Sequence, residues 1–208
     1  MRGLVSCARR VTGAGLPPLA TVLIVAIAMA SDRAFAQAKP GFEFRVLATN
    51  KTSTMEKELN EAAEAGFRFL TVMGGETAIG GNEAVAVVSR ATGSTGRYAY
   101  KLLATSKTST MEKELQEAAD AGFEYRGQTV FKSTFGGDEV VCILERDKDA
   151  PETRRSQYKL VATSKTSTLQ KELLEAGAAG YEILGMTVAK TALGGKELVA
   201  ITRRARAE

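Results

Sequence analysis

The chain has 208 residues, 44% hydrophobic and 25% charged, with 28 Lys and Arg against 24 Asp and Glu for a net charge of +4, and it contains no His and no Trp. Without His the commonest general base and zinc ligand are missing, and no nucleophile elbow, phosphate-loop consensus or close-spaced calcium loop is present, so catalysis would have to rest on carboxylates, Lys or Tyr. The expectation is a protein that is not an enzyme and carries no cofactor.

The first 36 residues read as a signal peptide. Arg2, Arg9 and Arg10 form a charged leader, residues 19–30 are an apolar run, and Ala34-Phe35-Ala36 is a small-x-small cleavage site before Gln37. Twelve apolar residues rise about 18 Å as a helix against about 30 Å of hydrocarbon, so no stable membrane span is expected after cleavage. Cys7 precedes the apolar run rather than ending it, which argues against a lipid anchor. Removing residues 1–36 takes away four basic residues and one acid and leaves a net charge of +1. That balance gives no electrostatic reason to bind nucleic acid. Export to the periplasm or beyond the cell is expected. Cys142 is then the single cysteine, in the apolar run Val140 to Leu144, where a buried inert thiol is expected.

The rest of the chain is written three times. Leu47 to Phe67 and Leu103 to Phe123 agree at 18 of 21 positions, and Val161 to Tyr181 agrees with the second copy at 14. The spacings of 56 and 58 residues divide the chain into repeat 1 (42–90), a linker (91–97), repeat 2 (98–146), a linker (147–155) and repeat 3 (156–204).

Each repeat opens with alternation. Phe42, Phe44 and Val46 share one face, as do Tyr98, Tyr100 and Leu102, then Tyr158, Leu160 and Ala162; period two predicts a half-buried strand. A helix follows, and Ser53 with Glu56, Ser109 with Glu112 and Ser167 with Gln170 fit the spacing of a capping box. Met55, Leu59, Ala62 and Ala63 form its apolar stripe, and Gly66, Gly122 and Gly180 supply a left-handed stop. A second strand starts at Phe67, Phe123 or Tyr181. The pairs Gly80-Gly81, Gly136-Gly137 and Gly194-Gly195 read as hairpin turns. The last strands, residues 84–88, 140–144 and 198–201, are continuous apolar runs, the pattern of strands buried on both faces. The predicted fold is α+β: three tandem β-α-β-β repeats, pseudo-threefold or in a row, with sheets packed inward and helices outward. One repeat is too small to bury a full core, so the three must fold together. The linkers ATGSTG (91–96) and DKDAPETRR (147–155) read as tethers.

Repeat 3 resembles a small bacterial domain family with the pattern Y-x-Y-K-V-V, L-x-x-x-L-N-x-x-G and G-W-E-L. Tyr158, Lys159, Leu160, Leu169, Leu173, Gly180, Tyr181, Glu182 and Leu184 stand at matching positions, whereas Phe67, Phe123 and Tyr181 replace the family's Trp. The resemblance implies a strand-helix-strand-strand fold and no chemistry.

Two sets of residues merit weighing as sites. Glu83, Glu139 and Glu197 follow the hairpin glycines at a fixed offset and read as solvated strand-entry residues; a metal would require all three to converge. The better candidates are the loops leading into the helices, Lys51-Thr52-Ser53, Lys107-Thr108-Ser109 and Lys165-Thr166-Ser167, each within T-x-K-T-S-T. Hydroxyls and a Lys at a helix N-terminus, where unpaired N–H groups and the dipole concentrate positive potential, suit an anion. Copies two and three are identical from residue 104 to 110 although other parts have drifted. The reading is an exported binding or scaffolding protein of the bacterial envelope, its partner an envelope protein or small anion. A structural, oligomer-forming repeat protein is the alternative, and a carboxylate enzyme a remote third. Phe42, Tyr98, Tyr100 and Phe123 occupy strand positions and read as core rather than as a stacking platform.

Overall fold

A computed structural model describes residues 41–77, 81–105, 107–132, 138–150, 156–190 and 196–206. The leader, the linker centred on Pro151 and the hairpin glycines other than Gly81 lie outside these residues. The stretch Ala38–Glu208 forms one compact unit.

The unit is α+β, with one order of elements written three times. Repeat 1 contains β1 (Phe42–Thr49), α1 (Thr52–Glu64), β2 (Arg68–Thr77) and β3 (Gly81–Ala91). Repeat 2 contains β4 (Tyr98–Thr105), α2 (Thr108–Asp120), β5 (Glu124–Lys132) and β6 (Asp138–Asp147). Repeat 3 contains β7 (Ser156–Thr163), α3 (Thr166–Ala178), β8 (Glu182–Lys190) and β9 (Lys196–Ala205). The sheets have the orders β1-β3-β2, β4-β6-β5 and β7-β9-β8, every pairing antiparallel. The last strand of each repeat is therefore central, and the first is an edge. The second strand breaks register at Leu70, Arg126 and Leu184, one bulge per repeat at the same place.

The helices stop as their sequence predicts. Gly66, Gly122 and Gly180 take φ of 85°, 82° and 82°, and the Phe67 N–H returns to the Ala62 carbonyl at 2.9 Å. Their starts differ from expectation. Lys51, Lys107 and Lys165 occupy the N-cap with extended backbone, and no side chain caps the helix, so Ser53, Ser109 and Ser167 lie two residues too late for a capping box. The carboxylates meant to close that box are used elsewhere: Glu56 accepts from the Leu102 N–H at 2.7 Å and Glu112 from the Leu160 N–H at 2.9 Å, both in the next repeat.

Those bonds show how the repeats join. Met55, Leu59, Ala62 and Ala63 are buried with Ala84, Ala86 and Val88 of their own sheet, and the same cluster takes in Tyr100, Val141 and Ile143 of repeat 2. A second cluster joins Met111, Leu115, Cys142 and Leu144 to Tyr158, Val199 and Ile201 of repeat 3. α1 touches its own sheet and also β4, α2 its own sheet and also β7, while β2 meets β5 and β5 meets β8. The repeats thus pack in succession, 1 on 2 and 2 on 3, and the face of each sheet turned toward the preceding repeat meets that repeat's helix as well as its strand.

This succession corrects the reading of the strands. β6 is buried on both faces from Val140 to Leu144, as expected, and β9 from Val199 to Thr202. β3 instead alternates buried and half-buried residues, because among the described residues no repeat packs on its leading side. For the same reason Phe42, Phe44 and Val46, expected in the core, are 64%, 63% and 63% exposed. The linker from Ala91 to Gly96 is packed rather than a loose tether. A Cβ on Gly66 would meet the Ser94 carbonyl oxygen at 2.4 Å, and one on Gly96 the Glu64 oxygen at 2.9 Å.

Candidate functional site

The T-x-K-T-S-T segment divides into a structural half and a half with no structural task. Its first threonine closes a local turn: Thr49 Oγ1 accepts from the Lys51 N–H at 3.2 Å, Thr105 from Lys107 at 3.2 Å and Thr163 from Lys165 at 3.3 Å. That turn holds each Lys in the extended conformation from which its carbonyl receives the first helical bond, Met55 N–H to Lys51 O at 3.1 Å, with the same bond at Met111 and Leu169. Lys51, Lys107 and Lys165 are exposed, as are Ser53, Ser109, Ser167 and Thr166, while Thr52 and Thr108 are half-buried. No acidic residue stands in any first turn. Each helix start therefore offers uncapped N–H donors, hydroxyls and a lysine. All nine residues singled out by sequence occupy these three starts, one set to each repeat.

The carboxylates behave differently. Glu83, Glu139 and Glu197 are half-buried at the starts of the three central strands. Among the described residues no group of His, Cys, Asp or Glu is arranged to hold a metal ion. Cys142 is fully buried, and burial pushes its thiol up to about 12, which keeps it protonated and unreactive at neutral pH. An open cleft of about 420 Å³ lies beside β1, lined by Phe42, Glu43, Arg90, Thr92 and Ser94, with Arg90 paired to Glu43.

The most elaborate chemistry sits at the junctions, which the sequence pattern does not reveal. Asn60 of α1 straddles Tyr100, donating from Nδ2 to its carbonyl and accepting at Oδ1 from its N–H, both at 2.9 Å. Gln116 does the same one repeat later, reaching the Ser156 carbonyl at 3.2 Å and the Tyr158 N–H at 3.1 Å. With Glu56 and Glu112, these side chains satisfy the free edges of β4 and β7. The aromatic on the clasped strand reaches back into the bulge: Tyr100 Oη accepts from the Phe69 N–H at 2.8 Å, and Tyr158 Oη from the Tyr125 N–H at 2.9 Å. Phe69 and Tyr125 then press on glycine, since a Cβ on Gly127 would meet the Phe69 ring at 3.2 Å and one on Gly185 the Tyr125 hydroxyl at 2.4 Å.

Between repeats 1 and 2 a buried charge completes the contact. Glu145 is 2% exposed and accepts from Arg68 Nη2 at 2.8 Å, Arg126 Nε at 2.9 Å and Tyr100 Oη at 2.8 Å. Its hydrogen bond holds the Arg68 guanidinium above its ordinary value, and Arg68 stacks over the Tyr98 ring at 4.4 Å. Three residues, Arg68, Arg126 and Tyr100, thus converge on one buried carboxylate and lock the two repeats together. Between repeats 2 and 3 the signs reverse: Glu124 faces Arg203 at 3.7 Å.

Comparisons with protein-family models, curated proteins and solved structures give no match. No described helix is long and apolar enough to cross a membrane.

Proposed function

We propose that this is an exported, non-enzymatic binding or scaffolding protein of the bacterial envelope that presents three equivalent helix starts to a partner protein or small anion. One observation carries the reading. Lys51, Lys107 and Lys165 and the serines two residues on recur unchanged in all three repeats, although their side chains are exposed and none of them caps its helix. We read the helices as facing outward at these tips, so that a partner with several anionic groups could engage more than one and gain avidity. The leader of residues 1–36 supports placement in the periplasm or outside the cell, and the resemblance of repeat 3 to the small bacterial domain family supports the fold and adds no reaction.

The test is the triple variant Lys51→Ala/Lys107→Ala/Lys165→Ala used as bait in envelope extract beside the wild type. Loss of the captured partner with an unchanged unfolding curve supports the binding reading. Equal capture by both proteins rejects it.

The alternative, a structural repeat protein that forms oligomers, draws support from a different observation: large apolar residues remain exposed on the first and last repeats.

A further inference from the structure

Each internal junction uses a trailing face, made by the helix and second strand of one repeat, and a leading face, made by the first strand of the next together with its second and central strands. Repeat 1 also has a leading face and repeat 3 a trailing face, and neither meets another repeat. On the leading side stand Phe42, Phe44 and Val46, at the places of Tyr98, Tyr100 and Leu102, all more than 60% exposed. On the trailing side stand Leu174, Ile183 and Met186, at the places of Asn60, Phe69 and Val72, exposed to 65%, 53% and 51%. At the internal junctions those same places make the contacts: Asn60 and Gln116 clasp a strand, and Phe69, Val72, Tyr125 and Gln128 crowd a glycine of the next repeat.

The two free faces have changed together. Where the inner junctions pair an amide with a tyrosine strand, the outer faces offer Leu174 and Phe44. Where they set a large aromatic against glycine, the outer faces offer the smaller Ile183 and the larger Thr71. The clasping acids Glu56 and Glu112 become the neutral Gln170, whose amide oxygen can still accept from the Val46 N–H. The charged partners Glu145 and Arg203 become Ser89, while Glu182 is already paired within its own repeat to Arg203 at 2.7 Å. Terminal repeats of a soluble array ordinarily turn polar; these have turned apolar on both sides, the leading face has exchanged its charge for Ser89, and the Glu182 charge of the trailing face is met within its own repeat. We propose that the trailing face of repeat 3 docks on the leading face of repeat 1 in a second copy of this chain, repeating the internal junction head to tail with an apolar clasp. Such a contact is heterologous, so it propagates as a filament or closes as a ring according to the turn per junction. The clasp lacks the bonds that Asn60, Gln116 and the two tyrosine hydroxyls make at the inner junctions, which makes the association reversible.

The experiment uses the full chain, expressed in an exporting bacterial host and recovered as that host processes it. Sedimentation velocity over a concentration series should show mass growing beyond the monomer. Phe44→Asp disables the leading face and Leu174→Asp/Met186→Asp the trailing face, each weakening self-association by about tenfold or more, with unchanged circular dichroism because the sites are exposed. Mixed together, the two variants retain one good face each and should form dimers and nothing larger. A wild type that stays monomeric at every soluble concentration overturns the proposal. So does a trailing-face variant that still dimerises by itself, the outcome expected if two β1 edges pair. As a second readout, Phe44→Cys and Leu174→Cys proteins should form a mixed disulfide on oxidation far faster than either alone, since the equivalent Asn60 and Tyr100 touch; equal rates count against the docking. The triple-Lys variant should assemble like wild type, which keeps this result distinct from the binding reading of the loops.

Discussion

β1 and β4 carry nearly the same alternation and pair in the same register with their central strands, yet Tyr100 is 4% exposed and Phe44 63%. The difference lies outside either strand. α1 precedes β4 and brings Glu56 and Asn60 to its free edge, whereas no helix of the array precedes β1. Alternation reports which residues share a face of the pleat; whether that face is dry depends on its neighbour.

Several measurements can break or sharpen this contrast. The largest effect should come with alkali. Tyr100, Tyr125 and Tyr158 all lie at junctions, and burial raises each phenol above its ordinary value of 10.0. A raised folded value means that the stabilisation is complete below the unfolded value and is lost as pH rises past it. Stability should therefore fall as pH rises above about 10, by about 1.4 kcal/mol per pH unit for each phenol that ionises in the unfolded chain while the folded one keeps it protonated. Urea melts across that range, with tyrosine absorbance followed in parallel, would check it; free ionisation of all tyrosines in the still-folded protein would contradict the junction geometry.

Next, Glu145→Ala should cost about 3 kcal/mol by urea melts, the lower end for breaking a buried pair because Arg68 and Arg126 retain some access to water. Asn60→Leu copies Leu174 into the first junction and should cost about 2 kcal/mol by leaving the Tyr100 N–H and carbonyl unbonded. The reverse change, Leu174→Asn, should leave the melt of the monomer unmoved. The smallest effects form a series at one repeat position. Tyr100→Phe removes a hydroxyl with two partners and should cost about 2 kcal/mol, Tyr158→Phe about 1 kcal/mol, and Phe44→Tyr nothing measurable. Equal costs at the three positions would erase the distinction between inner and outer faces.

Much of the fold is legible in the residues because the repeats declare their own boundaries. Strand alternation, the helical stripe from Met55 to Ala63 and the glycine stops each depend on neighbours a few positions away, and the elements fall where those signals place them. What local patterns cannot carry is the use of a side chain 40 or more residues distant. Ser53 and Glu56 have capping-box spacing, but Glu56 is bound to Leu102, because an unsatisfied strand edge next door is the better acceptor's target. The exposed face of β1 escaped notice for the same reason. Of the candidate site, sequence located the helix starts and their lysines; it could not separate Thr49, which closes a turn, from Ser53, which has no such duty. Asn60 with Gln116, an amide at one place in two helices and Leu174 in the third, was the one trace of the clasp.

The opposite polarity of the two ionic contacts, Arg68 to Glu145 and Glu124 to Arg203, bears on how so repetitive a polypeptide avoids scrambling itself. Were repeat 3 to settle against repeat 1 in place of the middle one, Arg68 would face Arg203, guanidinium against guanidinium. A second repeat docking on its own twin would set Glu124 against Glu145. Each misordered arrangement carries its own repulsion, so near-duplicate modules, a hazard during synthesis, are sorted by sign.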